Sequence, residues 1–416
     1  MKRRVVITGM GTVNPLGNSV KDSWKAAKEG QNGIGKITRI DTSDLGVHIA
    51  GEVREEGLDF LSKKEKRRLD RFTQLALLST HEAITESGLT DVMDDPYRVG
   101  TYFSSGIGGL ETIAEQNERG LSKGYGRISP FFIPMSIINI AAGQIAIKYG
   151  FKGPSLSNVT ACASATNSIG EAFRAIRDGY VDYAVSGGSE ASITKLGLSG
   201  FKVMQALSDS DDPENASRPF DKNRSGFVMG EGSATLVLET LDSALARDAH
   251  IYGEIIGYAT TSDAVHITAP DAQGEGAMHA MRLALEDADI SFDKIDHINA
   301  HGTSTPLNDK VESIAIRRLF KDHADKISVA STKSMTGHLL GASGAVESVF
   351  TVQASIEDFV PPTIHYETID EACDLDYTVN EGRERTVEYA LNNSFGFGGH
   401  NASLVFKKWR EQDVEQ

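Results

Sequence analysis

The chain has 416 residues, 40% of them hydrophobic and 24% charged, and a formal net charge of −16. That length can bury a large core in roughly two to three domain-sized units. So acidic a surface disfavours nucleic acid and anionic lipid as partners. The only two cysteines, Cys162 and Cys373, exclude a disulfide scaffold and fit a reducing, cytoplasmic setting.

Residues 4–8 read as a first strand rather than a signal peptide, because Gly9 and Gly11 break the apolar run at once. A helix over 19–29 follows, with Asn18 as a plausible cap and Gly30 at its end. The run Lys63-Lys64-Glu65-Lys66-Arg67-Arg68 reverses the overall charge. It reads either as a solvated helix start or as a docking patch for an acidic partner. A helix over 71–87, closed by Gly88, precedes a strand at 98–103. Segment 131–147 is apolar but interrupted by Pro134, Ser136, Asn139 and Gln144. It is too short to span a bilayer comfortably and reads as a buried or interface segment.

A helix over 162–177 puts Ala165, Ile169, Ala172, Phe173 and Ile176 on one face and ends at Gly179. Strands at 183–186 and 234–239 flank 208–219, the strongest loop signal, which reads as a surface excursion. A soft boundary near 247–251 separates a first half, 1–250, from a second, 251–411, with a tail at 412–416. The second half carries strands at 295–299, 327–331 and 403–406 and helices over 276–287, 309–320 and 344–357. This alternation argues for an α/β protein with buried, mostly parallel sheets. No tandem repeat is visible, although two diverged halves are compatible with the pattern.

Cys162 lies where a β-like segment enters an amphipathic helix. A helix N-terminus would favour the thiolate and lower the thiol pKa, and the turn would project the sulfur as a nucleophile elbow does. A buried inert cysteine is the competing reading, about equally supported by this segment alone. Cys373 is flanked by Glu371, Asp374 and Asp376, which oppose a thiolate, and is read as structural. His301, in Asn299-Ala300-His301-Gly302-Thr303-Ser304-Thr305-Pro306, and His338, in Lys333-Ser334-Met335-Thr336-Gly337-His338, each follow a strand end. Such ends carry working groups in α/β enzymes. The turn Asn392-Asn393-Ser394-Phe395-Gly396-Phe397-Gly398-Gly399-His400 offers backbone N–H groups for an oxyanion hole, or is simply a tight turn before the last strand. No cysteine or histidine has zinc-site spacing, so no metal centre is expected.

Taken together, Thr160-Ala161-Cys162, the two histidine motifs and Asn393-Ser394-Phe395-Gly396-Phe397-Gly398-Gly399 resemble the β-ketoacyl-acyl-carrier-protein synthases, over nearly the whole chain. The segment after His338 looks more like the type II elongating enzymes than type I. The resemblance implies a thiolase-like fold: two related halves in a five-layered α-β-α-β-α arrangement, assembled as a homodimer. It implies an acyltransferase that parks an acyl chain on Cys162 and condenses it with malonyl-carrier protein, His301 and His338 aiding the decarboxylation. In the same way Lys333 would supply charge near His301 and bond to Glu347, where a monovalent cation could also sit. Phe397 would contribute an N–H and gate the site, and Thr303 and Thr305 would bind the pantetheine arm, which arrives on the carrier so that no resident cofactor is needed. Ile107 and Phe132 would meet in the acyl pocket across the dimer. Lys64, Arg67 and Arg68, extended by Arg127, align with the carrier-docking patch. Asp263 and His266 match a motif near the entrance. Gln205 stands where some members carry arginine, and His400 where some carry threonine.

Overall fold

The computed structural model describes residues 2–54 and 60–412; most of the expected tail, 413–416, lies outside the described residues. Ten strands form one hydrogen-bonded array. In chain order they are β1 (Val5–Val13), β2 (Val99–Ser104), β3 (Ser155–Leu156), β4 (Tyr183–Glu190), β5 (Gly232–Thr240), β6 (Gly253–Ser262), β7 (His297–Asn299), β8 (Ser328–Ala330), β9 (Tyr389–Gly396) and β10 (His400–Lys408). Their spatial order is β8-β7-β9-β10-β6-β1-β5-β4-β2-β3.

Counted within each half, both sets of five strands have the order third-second-fourth-fifth-first, read from the outer edge inward. The pairings repeat as well. The second strand is parallel to the third and fourth, and the fifth is antiparallel to the fourth and first. The halves join where β1 meets β6 over only Val5–Ile7. The array is therefore two five-stranded sheets meeting at one short seam, and the pseudo-repeat invisible in the sequence is explicit in the topology.

The expectation of mostly parallel sheets is corrected: the centre of the array is antiparallel. Strands buried on both faces are apolar throughout whichever way they run, so hydrophobicity does not report direction. The sequence reading also passed over β6 and β9. In β9, buried on both faces, Asn392, Asn393 and Ser394 are polar yet fully buried, and so read as a turn.

Helices cover both faces. On one outer face α1 (Arg71–Ser87) lies across β1 and β5, with α2 (Ile140–Tyr149) beside it. Between the sheets run α3 (Ser164–Arg177) and, later in the chain, α6 (Ser343–Glu357), packed on each other. On the far face α4 (Glu275–Asp287) packs on β6 and β10, and α5 (Pro306–Phe320) on α4. This is the five-layered thiolase-like arrangement. Each layer contact has its own apolar cluster: Phe72, Leu75 and Phe103 outside; Ile169, Phe173, Val349 and Phe350 in the middle; Met281, Ile298 and Phe320 on the far face. Burying a side chain of this size contributes about 1.5–3 kcal/mol.

Three local expectations change. The first helix is capped by Ser19, whose hydroxyl accepts the N–H of Asp22, not by Asn18. Segment 208–219 is a surface loop only in its first part: Ser217 and Arg218 are buried. Segment 131–147 is not buried along its length in the single chain, with Ile133 60% and Ile147 74% exposed. Ala141, Ala142 and Ile145 are buried, while Phe131, Ile133, Ile137 and Ile147 face outward, which leaves the interface reading for those four. Among the described residues no helix is long and apolar enough to cross a membrane.

Candidate active site

The nucleophile turn is built by its neighbours. Cys162 sits in a single 3-10 turn, Ala161–Ala163, immediately before α3. Ala161 is held at φ +51°, a left-handed conformation that costs a non-glycine residue on the order of 1 kcal/mol or more. Ser164 locks it: its hydroxyl accepts the N–H of Thr160 at 2.9 Å and donates to the carbonyl of Ala161 at 2.7 Å. Gly396, at the end of β9, packs on this turn; a Cβ there would stand 2.7 Å from the Thr160 carbonyl and 3.0 Å from the Cys162 nitrogen. Any larger residue would push the turn out of place.

The structure brings Cys162, His301 and His338 together, with their potential ligating atoms all within 4.8 Å of one another. His338 Nε2 lies 3.2 Å from Cys162 Sγ. Its other nitrogen, Nδ1, accepts the N–H of Leu340 at 3.2 Å and faces Ser343 Oγ at 2.9 Å. A backbone N–H can only donate, so Nδ1 is the acceptor, and in the neutral ring the proton rests on Nε2, facing the sulfur. His301 packs edge-to-face on His338, ring centroids 5.3 Å apart. Its loop is fixed by buried carboxylates: Glu312 accepts the N–H groups of His301 and Gly302, each at 2.8 Å, and Asp309 those of Thr303 and Ser304. Neither acid was singled out from the sequence, where only a helix over 309–320 is read; both sit on α5.

Burial pushes both imidazoles well below their usual pKa, and the Lys333 ammonium pushes them further. Both are neutral at pH 7 and can donate a hydrogen bond without carrying charge. Lys333 is fully buried and ion-paired to Glu347, as expected. Ser217, from the supposed surface loop, donates to the Lys333 carbonyl at 2.8 Å.

The expected low thiol pKa is overturned. Burial pushes Cys162 up to about 11, against the opposing effects of Lys333 and of the N–H groups of Phe397 and Cys162 itself. One turn of 3-10 helix and two amides do not offset the loss of water around the sulfur. The resting group is a thiol. The same amides that face Sγ remain available to an oxyanion on an attached acyl group.

A cavity of about 370 Å³ opens onto Cys162, lined by Phe201, Phe227, His301, Thr303, Thr305, His338, Leu340, Phe395 and Phe397. Thr303 and Thr305 face one another there, hydroxyls 2.9 Å apart. Gln205 and Asp263 also line it. Asp263 accepts the side-chain amide of Asn401 at 2.7 Å, whereas His266 is exposed and accepts the N–H groups of Thr268 and Ala269. Ile107 stands behind the wall, in the apolar cluster of Phe201, Phe227 and Leu340. Phe132 is not in the cavity of the single chain but on a short helix, Phe132–Ser136, beside exposed Phe131. Lys64, Arg67, Arg68 and Arg127 are all exposed, and the Arg68 guanidinium lies 5.1 Å over the Phe131 ring. Cys373 is 3% exposed, with its thiol raised to about 11 by burial.

A half-buried cysteine beside two neutral imidazoles, at the junction of two thiolase-like halves, points to the class: a condensing enzyme. The family models agree. Residues 2–244 match the β-ketoacyl synthase N-terminal domain and residues 252–367 the C-terminal domain. The chain belongs to the β-ketoacyl synthase family. It is 50% identical over 408 residues to 3-oxoacyl-[acyl-carrier-protein] synthase 2 of Staphylococcus aureus (strain COL), covering 98% of this chain and 99% of that protein. A β-ketoacyl synthase from Burkholderia phymatum STM815 superposes with a TM-score of 0.91 at 34% identity, covering 99% of this chain and 100% of that one. A type II polyketide ketosynthase, solved in complex with its acyl-carrier protein and bound to the hexaketide, gives 0.89 at 33% identity, with coverage of 99% and 100%.

Proposed function

We propose that this chain is the elongating condensing enzyme of fatty acid synthesis, a 3-oxoacyl-[acyl-carrier-protein] synthase of type II. The observation that carries the reading is the His338 tautomer: a fixed, neutral Nε2–H donor 3.2 Å from the only cysteine that opens onto a cavity. In the first half-reaction the Cys162 sulfur attacks the acyl thioester on the carrier. The acyl group moves to Sγ, and the cysteine proton ends on the pantetheine sulfur. The N–H groups of Cys162 and Phe397 hold the tetrahedral oxyanion. A thioester is both product and substrate, so the chain stays activated.

In the second half-reaction malonyl-carrier protein loses CO2, and its thioester oxygen takes up negative charge. His301 and His338 donate to that oxygen from neutral nitrogens, which need no proton transfer. The carbanion attacks the acyl-Cys162 carbonyl, forming the new carbon–carbon bond. Cys162 leaves and is reprotonated, and the product remains on the carrier, longer by two carbons. Thr303 and Thr305 hold the pantetheine arm, and Phe397 gates the cavity.

Carrier protein as partner is supported by the polyketide ketosynthase complex. Lys64, Arg67, Arg68 and Arg127 supply the local positive field that an acidic carrier needs on an acidic enzyme. The outward apolar residues of 131–147 support a homodimer, and a cytoplasmic location fits the chemistry. A monovalent cation fits beside Glu347. Glu347 Oε2, Asn299 Oδ1 and Asn392 Oδ1 are buried without a hydrogen-bond partner, and Asn299 and Asn392 are register partners on β7 and β9. These oxygens would hold it, and it would supply fixed positive charge behind the histidine loops.

The test is Cys162→Ala. It should form no acyl adduct by mass spectrometry and yet still release CO2 from malonyl-carrier protein. Full condensation in that variant would end the proposal.

A further inference from the structure

The fold contains a counterpart of the active site, assembled from both halves, and one carboxylate fills it. Before α6 runs a 3-10 turn, Leu340–Ala342, matching Ala161–Ala163 before α3. Leu340 is left-handed at φ +48°, as Ala161 is at +51°. Serine opens both central helices, at Ser164 and Ser343. By position in the turn, Gly341 is therefore the counterpart of Cys162. The fourth array strand of each half ends at Glu190 and Gly396 respectively. Where Gly396 leaves room beside Cys162, Glu190 fills the space beside Gly341.

Glu190 is fully buried and has no cationic partner among the described residues. Its Oε2 accepts the N–H of Gly106 at 2.8 Å and of Gly341 at 3.0 Å. Its Oε1 accepts the N–H of Ile107 at 3.2 Å and the hydroxyls of Ser105 and Ser192 at 2.9 and 3.1 Å. Glycine is required on both sides of the clamp: a Cβ on Gly341 would stand 2.1 Å from the Gly106 nitrogen, and one on Gly106 would stand 2.8 Å from Oε2. The loop at one end carries Ile107, packed against Phe201, Phe227 and Leu340 of the cavity wall. The loop at the other end carries Leu340, whose N–H sets the His338 tautomer.

We infer that Glu190 is a positioning residue for decarboxylation, which holds the Leu340–Gly341 turn so that His338 presents Nε2–H to the substrate, and which ties that turn to the Ile107 wall. Nothing reacts at Glu190. It acts by fixing where the Leu340 N–H points. The inference rests on the reading of His338 as a donor in the second half-reaction.

Two variants separate the ends of the clamp. In Glu190→Gln the amide oxygen can face Gly106 and Gly341 while the NH2 meets the hydroxyls of Ser105 and Ser192. Only the Ile107 bond is lost. Glu190→Asp shortens the reach by one methylene, so one oxygen can no longer span the Gly106 and Gly341 N–H groups and the clamp between the two loops opens. Both half-reactions are measured in the full-length enzyme, by adduct formation on Cys162 and by CO2 release from malonyl-carrier protein. Misplacing a reacting group by about 1 Å can cost on the order of a hundredfold. We expect Glu190→Asp to lower the turnover of CO2 release about ten- to a hundredfold with little change in KM or in the rate of Cys162 acylation. Glu190→Gln should keep CO2 release within about threefold and slow acylation instead. Equal losses in both half-reactions that track the fall in melting temperature would mean a purely structural role and overturn the inference, as would unchanged CO2 release in Glu190→Asp. Failure of the underlying reading is seen separately, as undiminished CO2 release in His338→Ala.

Discussion

The two halves share strand order, strand direction and even the left-handed residue that opens each central helix, yet only one carries reactive groups at each equivalent point. After its second strand the first half has Ser105-Gly106-Ile107; the second half has His301-Gly302-Thr303. Four residues into the central helix the first half has Ser168, bonded to Ser104, and the second half has Glu347, paired to Lys333. At the turn the assignment reverses: the first half has Cys162 and the second Gly341. A duplicated scaffold thus places the cavity-facing cysteine in one half and the two histidines and the buried ion pair in the other. The remaining counterpart positions are closed with small neutral side chains and one carboxylate. The fold sets where chemistry can occur, and side-chain identity decides which of the two places is live.

Lys333→Met is the largest expected perturbation of that asymmetry. Removing one partner of a buried pair leaves Glu347 uncompensated, at a cost of about 3–5 kcal/mol. The pH dependence sharpens the test. Burial, then Lys333, holds both histidines below their usual range. Without the ammonium their pKa values rise toward the ordinary 6.5 while burial still holds them below it. Protonation, which puts a proton on His338 Nδ1 against the Leu340 N–H, then sets in at higher pH, so the acid limb of the CO2-release profile should move upward. An acid limb that stays put would mean that Lys333 acts only through packing.

Gly341→Ala tests the closed counterpart. Its Cβ would collide with backbone, not with a flexible side chain, 2.1 Å from the Gly106 nitrogen. Overpacking of this kind costs about 1–3 kcal/mol or somewhat more. We expect a clear drop in melting temperature together with impaired condensation, whereas Cys162→Ala at the live position should melt like the wild type. Equal melting of all three proteins would show that the two turns are not packed in the different ways described.

The asymmetry also explains what could be read from the sequence. Cys162, His301 and His338 stood out because strand-end motifs concentrate unusual residue types in short runs, whereas Lys333 entered only through the family resemblance; the structure brings all four side chains into one region. The strands 98–103 and 183–186 and the helix over 71–87 were legible from hydrophobic patterning. Glu190, Asp309 and Glu312 were not. Their partners include backbone N–H groups, distant in sequence for Glu190 and within about a dozen residues for Asp309 and Glu312, and backbone partners leave no compositional trace. Strand β9 was missed because the partners of its polar residues are brought together only by the fold: Asn392 Nδ2 donates to the Gly344 carbonyl, Ser394 bonds the Thr166 hydroxyl, and Asn393 Oδ1 accepts the Ser403 hydroxyl. The Cys162 pKa was misjudged because a sequence shows a helix start but not how much water is excluded around it.

The smallest expected effect lies outside the duplicated core, on the surface where the first half reverses the protein's charge. The short helix Lys63–Lys66 is held by a complete capping box, with Ser62 and Glu65 bonding each other's backbone. Its charges are therefore carried on fixed backbone. Changing Lys64, Arg67 and Arg68 to Glu removes three positive charges and adds three negative ones on side chains that fold energetics barely sense, since all three are exposed. Exposed charges steer encounters more than they stabilise contacts, and they are screened beyond roughly 8 Å at physiological salt. We expect the KM for carrier-borne substrates to rise about tenfold or more at low salt, with turnover and melting temperature nearly unchanged. The difference from wild type should shrink as salt is added. The same variant assayed with a pantetheine thioester lacking the carrier should behave as wild type, because the cavity and the duplicated core are untouched. A KM that rises equally with both substrates would place the effect in the cavity rather than at the surface, and would remove this patch from the account of docking.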